Sequence, residues 1–341
     1  MRPGVGLREG EGQRWLGRRH VLALLATATP LWPLAAAAQS TDQVRRVALL
    51  LPFSPESEPA RKATAAATNR LRELGWLEGR NLEIAIGYSL DDDPQGKVTR
   101  ELLAVHPDAV LVGGGPVVAV QRETRTVPIV FVLYGDPIGG HLVMKLARPG
   151  GNLTGFTHYD APLCGKWVEM LKEIAPQVTR IAALYVPAVF PPTWWDAMES
   201  SAQSLRVRLH RAEIRNPASI EQAIAEFAAE PNGGLISLPS GVAAVNHKLI
   251  TTLADRHQLP AMYPFADGAE NGGLISYGVD RFEQFVLGAG YVDRILRGDK
   301  PGDLPIQQPT GFKLVINLKA TKALGLTVPV ALLARADEAV E

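Results

Sequence analysis

Arg46-Val47-Ala48-Leu49-Leu50-Leu51-Pro52 decides the architecture, because it recurs as Arg180-Ile181-Ala182-Ala183-Leu184-Tyr185-Val186-Pro187. Each is a short apolar run closed by proline, which has no N–H to give a sheet and so ends the strand. Unbroken apolarity, in place of in-and-out alternation, predicts strands buried on both faces. Each run opens a series. After the first, a helical stretch from about Glu58 to Gly75 precedes a strand from Leu82 to Ile86, and another helix leads to His106-Pro107-Asp108-Ala109-Val110-Leu111-Val112. After the second, a helix near Trp194 to Leu205 precedes a strand from Arg206 to Ala212, and a helix from Ala218 leads to Glu230-Pro231-Asn232-Gly233-Gly234-Leu235-Ile236-Ser237. The match continues in Val127-Pro128-Ile129-Val130-Phe131-Val132 beside Leu259-Pro260-Ala261-Met262-Tyr263, and in Gly151 to Phe156 beside Gly273 to Gly278. Four pairs in one order, at offsets of about 120 to 135 residues, mark an internal duplication.

Short apolar strands alternating with longer amphipathic stretches predict two α/β lobes, each a doubly wound parallel sheet covered by helices. Ligands of such sheets lie beyond the carboxyl ends of the strands, so two facing lobes enclose a cleft. The expected division is a leader at 1–38, a first lobe at 39–157, a second at 158–278, and a segment at 279–341 that crosses back between them. Hinge crossings are expected near Phe156 to Asp160 and Tyr277 to Asp280, where the last matched strand of each copy gives way to a long helical stretch.

The leader reads as a cleaved signal peptide. Arg14, Arg18 and Arg19 precede an apolar stretch from Val21 to Leu34, and Ala35-Ala36-Ala37-Ala38 offers small residues for signal peptidase, with cleavage expected after Ala38. The apolar stretch is too short for a membrane span and is interrupted by Pro30 and Pro33. Gly17-Arg18-Arg19-His20-Val21-Leu22 leaves both the twin-arginine and the general secretory route open. No Cys follows the small residues to take a lipid, so a free periplasmic protein is expected. Cys164, the single cysteine, rules out an internal disulfide. Without residues 1–38 the chain carries 30 basic against 33 acidic side chains, which gives no electrostatic footprint for nucleic acid. Asp91-Asp92-Asp93 reads as a solvated loop, since the spaced ligands of a calcium loop are missing.

Candidate ligand contacts cluster at the predicted strand ends. Gly113-Gly114-Gly115-Pro116 could bring backbone amides against a carboxylate, or could be only a tight turn. In Tyr134-Gly135-Asp136-Pro137, Asp136 could accept from a ligand ammonium or cap a helix starting at Pro137. From the second copy, Tyr185, Ser240 and Tyr263 stand at corresponding strand ends, where a ring could stack and a hydroxyl orient the ligand; core packing is the bland reading of the rings. Ser54 joins the candidates, and Thr157 and Tyr277, near the crossings, could serve the ligand or the hinge. Trp194 and Trp195 read as helix-start packing, or as an exposed docking surface. An enzyme finds little support: Ser54, Ser201 and Ser240 lack a nucleophile elbow, and the seven His lack metal spacing, so neither catalytic residue nor cofactor is expected.

Leu146-Ala147-Arg148-Pro149-Gly150-Gly151-Asn152-Leu153-Thr154-Gly155-Phe156, the stretch Lys166 to Pro176, and Gly273-Leu274-Ile275-Ser276-Tyr277-Gly278 resemble the ABC transporter substrate-binding family related to TrpX-type tryptophan-binding proteins. The tail, from Asp303 to Thr310 and Leu314 to Ala320 and on to Glu338, resembles it too, so the likeness spans Arg46 to Glu341. The resemblance implies a type I periplasmic binding fold with a multi-strand hinge, no catalysis, a monomer, and delivery of a small molecule, an amino acid among the options, to an ABC permease driven by a separate ATPase. In keeping with a separate ATPase, the chain has no Walker-type phosphate loop. Two departures stand out: Leu163 and Cys164 occupy places where relatives carry smaller residues, and Pro264-Phe265-Ala266-Asp267-Gly268 lacks an arginine often seen nearby. A sensor feeding a membrane receptor and, less favoured, an exported enzyme are the alternatives.

Overall fold

A computed structural model describes residues 44–89, 96–187, 190 and 192–341; the leader and the Asp91-Asp92-Asp93 loop fall outside them. The chain runs β1 (Arg45–Leu51), α1 (Glu58–Glu73), β2 (Leu82–Tyr88), α2 (Lys97–Leu103), β3 (Ala109–Gly113), α3 (Val117–Glu123), β4 (Ile129–Val132) and β5 (Leu153–Gly155). It continues with α4 (Ala161–Ile174), β6 (Arg180–Tyr185), α5 (Pro192–Ser204), β7 (Arg208–Glu213), α6 (Pro217–Ala228), β8 (Gly233–Ser237), α7 (Gly241–Val245), α8 (His247–Arg256), β9 (Ala261–Tyr263), α9 (Asp267–Glu270) and β10 (Ile275–Gly278). Last come α10 (Arg281–Leu296), a 3₁₀ turn at Pro301–Asp303, β11 (Lys313–Asn317), α11 (Leu318–Ala323), α12 (Val330–Leu333) and β12 (Glu338–Val340).

The two sheets repeat one plan. The first is ordered β2-β1-β3-β4-β5, and the second contains the matching run β7-β6-β8-β9-β10, all parallel within each run. This is the doubly wound arrangement whose ligand crevice lies at the strand carboxyl ends. The purely parallel expectation needs one correction: β11 adds to β10 antiparallel, and β12 then pairs with β11. The antiparallel strand arises because the chain returns to this sheet from the other lobe rather than through a crossover helix.

The apolar runs are buried on both faces because each sheet divides two cores. Val47, Leu49 and Leu51 face one cluster while Ala48 and Leu50 face another. Ile181 and Ala183 part from Ala182 and Leu184 in the same way. The helix after each lobe's last matched strand then packs on the opposite lobe. Leaving β5, α4 joins α5 and the core containing Ile181; leaving β10, α10 joins α1 and the core containing Val47. Both helices start at an aspartate that satisfies their free amides: Asp160 accepts from the Leu163 N–H at 3.1 Å, and Asp280 from those of Phe282 and Glu283 at 2.9 and 3.3 Å.

The segment leading back to β11 bridges to the first crossing at Phe156 and Gln307. The Gln307 N–H donates to the Gly155 carbonyl at 3.0 Å, and the Thr157 N–H donates to the Gln307 carbonyl at 2.9 Å. Among the described residues no helix is long and apolar enough to cross a membrane.

Candidate ligand cleft and its lobe 2 pocket

The strand ends place the predicted residues unevenly. In lobe 1, Ser54 is exposed, and its carbonyl accepts from the backbone and hydroxyl of Ser57, the residue that caps α1. Gly114 sits at φ 66° and its N–H donates to the Val132 carbonyl, while Gly114 and Gly115 carbonyls accept from Val117 and Val118. Pro116 is buried. The next strand end carries a feature that sequence reading missed: Leu133 holds φ 55°, a left-handed conformation costly for a branched residue. Tyr134 follows, half-buried and edge-on to Phe131; burial first, then the Asp136 charge, raises its phenol pKa above the ordinary value. The helix expected from Pro137 does not form. Two glycines, Gly139 and Gly140, disfavour a helix there, and the chain makes a turn that the Asp136 carboxylate holds by accepting from the Gly139 N–H at 2.7 Å.

Interlobe contact occurs here. A side-chain carbon on Gly135 of lobe 1 would lie 2.0 Å from Trp194 Cη2 of lobe 2, so the indole rests on bare backbone. Trp194 and Trp195 are 3% and 4% exposed, which removes the docking-surface reading. Trp194 packs on Tyr159 and Phe190, and Trp195 on Phe190 and Tyr185. Tyr185 is half-buried. Thr157 is buried in the hinge pairing, and Tyr277 lies against Phe312 while its carbonyl accepts from the Trp167 indole at 2.7 Å.

Lobe 2 contributes a small pocket at the ends of β8 and β9. Two predicted residues, Ser240 and Tyr263, line it together with His247, Phe265 and Arg281, which sequence reading did not select. Ser240 caps α7, its hydroxyl accepting from the Ala243 N–H at 3.0 Å. Arg281 opens α10 and forms an ion pair with Asp267 at 3.0 Å, with side chains 7% and 18% exposed. A guanidinium thus reaches the 264–268 stretch from the start of α10. Its carbon also lies 4.2 Å from the Phe265 ring centre, and His158 of the first crossing lies nearly parallel to that ring at 5.8 Å. Phe265 is thus gripped by both crossings.

Burial sets the charge states around this junction. It drives the His158 imidazole well below its ordinary pKa, and the Arg281 charge acts in the same direction. Burial likewise lowers His247 to about 4, helped by Arg281. Both imidazoles are neutral near pH 7. The pocket wall therefore presents the Arg281 guanidinium, paired behind it with Asp267, and otherwise neutral groups. Among the described residues no group of three or more His, Cys, Asp or Glu could hold a metal ion.

A family model described as ABC transporter substrate binding protein matches residues 55–340. The chain belongs to this family. The ABC substrate-binding protein described here has a type I periplasmic binding fold, related to the TrpX-type tryptophan-binding proteins. It is 22% identical over 270 residues to a tyrosine-binding protein of Clostridioides difficile strain R20291, covering 78% of this chain and 77% of the relative. A conserved domain protein of Vibrio cholerae has a structure similar to it with TM-score 0.79 at 28% identity, covering 87% of this chain and all of the other. The ABC domain from Streptococcus pneumoniae in complex with L-Trp matches with TM-score 0.79 at 22% identity and the same coverage.

Proposed function

We propose that this substrate-binding protein captures an amino acid, aromatic ones first, between its lobes and hands it to an ABC permease powered by a separate ATPase. It acts as a monomer in the periplasm after loss of residues 1–38, and it catalyses no reaction. The observation that carries this reading is the pocket at the strand ends, where the helix-opening Arg281 and the hinge residue His158 meet on Phe265. A ligand there touches Arg281 at the start of α10 and Phe265, which His158 of the first crossing backs, and so can favour one lobe arrangement over another, which is the differential affinity that closure requires. The family membership and the L-Trp complex and tyrosine-binding relative support the ligand class. The moving bodies are lobe 1 with α10 and lobe 2 with β11 and β12, so the segment at 279–341 divides between them rather than standing alone. Tyr134, Tyr185 and the Gly113–Pro116 loop are proposed as the facing walls of the cleft.

Titration calorimetry with L-tryptophan, L-tyrosine and L-phenylalanine tests the reading, alongside thermal unfolding. A ligand that binds only the folded protein stabilises it by about 2.7 kcal/mol at one hundred times its dissociation constant. Small-angle scattering should show a smaller radius of gyration at saturation. No heat and no stabilisation with any amino acid would refute the ligand class; binding at a fixed radius would refute closure.

A further inference from the structure

His158 is a titratable side chain sealed between the two lobes. It lies on the first crossing, 3% exposed, with its ring edge-on to the neighbouring Tyr159 at 3.7 Å. From lobe 2 the Phe265 ring lies nearly parallel to it at 5.8 Å, and from lobe 1 the Tyr134 backbone accepts from the imidazole. The charge that acts on it is the Arg281 guanidinium, which stands 4.2 Å from the centre of the same Phe265 ring. Arg281 travels with lobe 1 although its partners are in lobe 2. Its helix, α10, is tied to the end of α1 by the Trp76 indole, which donates to Asp293 at 2.8 Å, and by Arg297, which donates to the Leu74 carbonyl at 2.8 Å.

The carboxylates of the surrounding elements are engaged elsewhere. Asp267 pairs with Arg281 at 3.0 Å, Asp160 accepts from the Leu163 N–H, and Asp136 from the Gly139 N–H. The Tyr134 and Tyr159 phenols are neutral, their pKa values raised first by burial, and the neutral His247 belongs to α8 within lobe 2. An imidazolium donates from both ring nitrogens, yet His158 Nδ1 is buried without a hydrogen-bond partner among the described residues. While Gly135 meets Trp194, a proton on His158 therefore creates an unsatisfied buried N–H and a second cation that Arg281 repels. Parting the lobes withdraws Tyr134 and Arg281 and admits water to the ring, which removes both penalties.

We propose that His158 is a proton-sensitive latch between the lobes: neutral, it holds them together, and protonated, it parts them, so that acid promotes release of the ligand. The latch rests on the closure reading above and adds a control to it. Burial first, with Arg281 acting in the same direction, holds the imidazole well below its ordinary pKa while the lobes touch. In the open protein the water-exposed ring titrates near the ordinary value of about 6.5. Below about pH 6.5 the open state therefore binds the extra proton and is favoured as pH falls; above it the balance is independent of this group. Between pH 7.5 and pH 5.5 the ratio of open to closed protein should rise about tenfold.

Small-angle scattering of the ligand-free protein at these two pH values decides it, with circular dichroism to show that the fold persists. The wild-type radius of gyration should grow at pH 5.5, and that of His158→Gln should not; His158→Phe, which keeps a stacking ring that cannot titrate, serves if the glutamine variant does not fold. His247→Gln should expand as wild type does. A wild-type radius independent of pH, an expansion retained by the His158 variant, or an expansion lost in His247→Gln overturns the latch. Calorimetry with L-tryptophan gives a second readout: affinity should fall about tenfold from pH 7.5 to pH 5.5 in wild type and less than about twofold in the His158 variant. Equal losses in the two proteins overturn the latch as well. Absence of heat with any amino acid refutes the ligand class, and a radius unmoved by saturating ligand at pH 7.5 refutes closure; the ligand-free comparison judges the latch in either case.

Discussion

Gly135→Ala should favour parting of the lobes without harming either one. Gly135 is not in the left-handed backbone region, so alanine is compatible with its chain conformation. The added carbon, however, would fall 2.0 Å from Trp194 Cη2 and 2.5 Å from Cζ2. Unstrained carbons sit about 3.5–4.0 Å apart, so about 1.5 Å of separation must be found. The indole cannot readily provide it, because Tyr159 and Phe190 ring centres lie 4.5 and 5.1 Å away and the side chain is 3% exposed. Overpacking of this kind costs about 1–3 kcal/mol, and here the cost falls on the arrangement in which the lobes touch. Apparent affinity for a ligand that needs this arrangement should therefore fall about 5- to 150-fold, while the ligand-free unfolding midpoint stays near wild type. Scattering should report a larger ligand-free radius of gyration. Adding Trp194→Leu to Gly135→Ala should recover much of the lost affinity, giving a non-additive double-mutant cycle. Wild-type affinity and radius in Gly135→Ala, or strictly additive effects in the cycle, would refute the contact's part in closure.

The neutral buried histidines should make stability depend on pH. His247 has a folded pKa near 4 against an unfolded value near 6.5, so between these limits the unfolded chain binds more protons and stability falls as pH falls. For His247 alone, about 2 kcal/mol should be lost between pH 7 and pH 5, with His158 adding in the same direction; denaturant titrations at both pH values measure it, and a slope unchanged in His247→Gln would contradict the assignment. Cys164 is fully buried with its thiol pKa raised, mainly by that burial, so a thiol reagent should label it only in denaturant, and rapid native labelling would show that α4 does not pack as described.

The sequence by itself determined the duplication and the element types. Runs such as Val47 to Leu51 and Ile181 to Leu184 are apolar at every position because helices cover both sheet faces, and prolines mark where they stop. Local chemistry also brought Ser240 and Tyr263 into the candidate set that meets in the pocket, whereas the one cap read from sequence, Asp136, holds a turn and the caps at Asp160 and Ser240 emerged only in the structure. The sequence places crossings just before α4 and α10, but only tertiary structure shows that α4 packs on α5 and α10 on α1. Nothing in Lys313 to Asn317 states that its strand returns antiparallel to β10. The pocket's other members were hidden for the same reason. Arg281 reaches Asp267 and Phe265 from the start of a helix that otherwise belongs to lobe 1, and His247 meets Tyr263 from a separate helix. Strand formation is governed by side chains within a few residues, and is written in their spacing. A cleft is made where segments distant in sequence are brought together by packing, and its chemistry exists only once those segments have met.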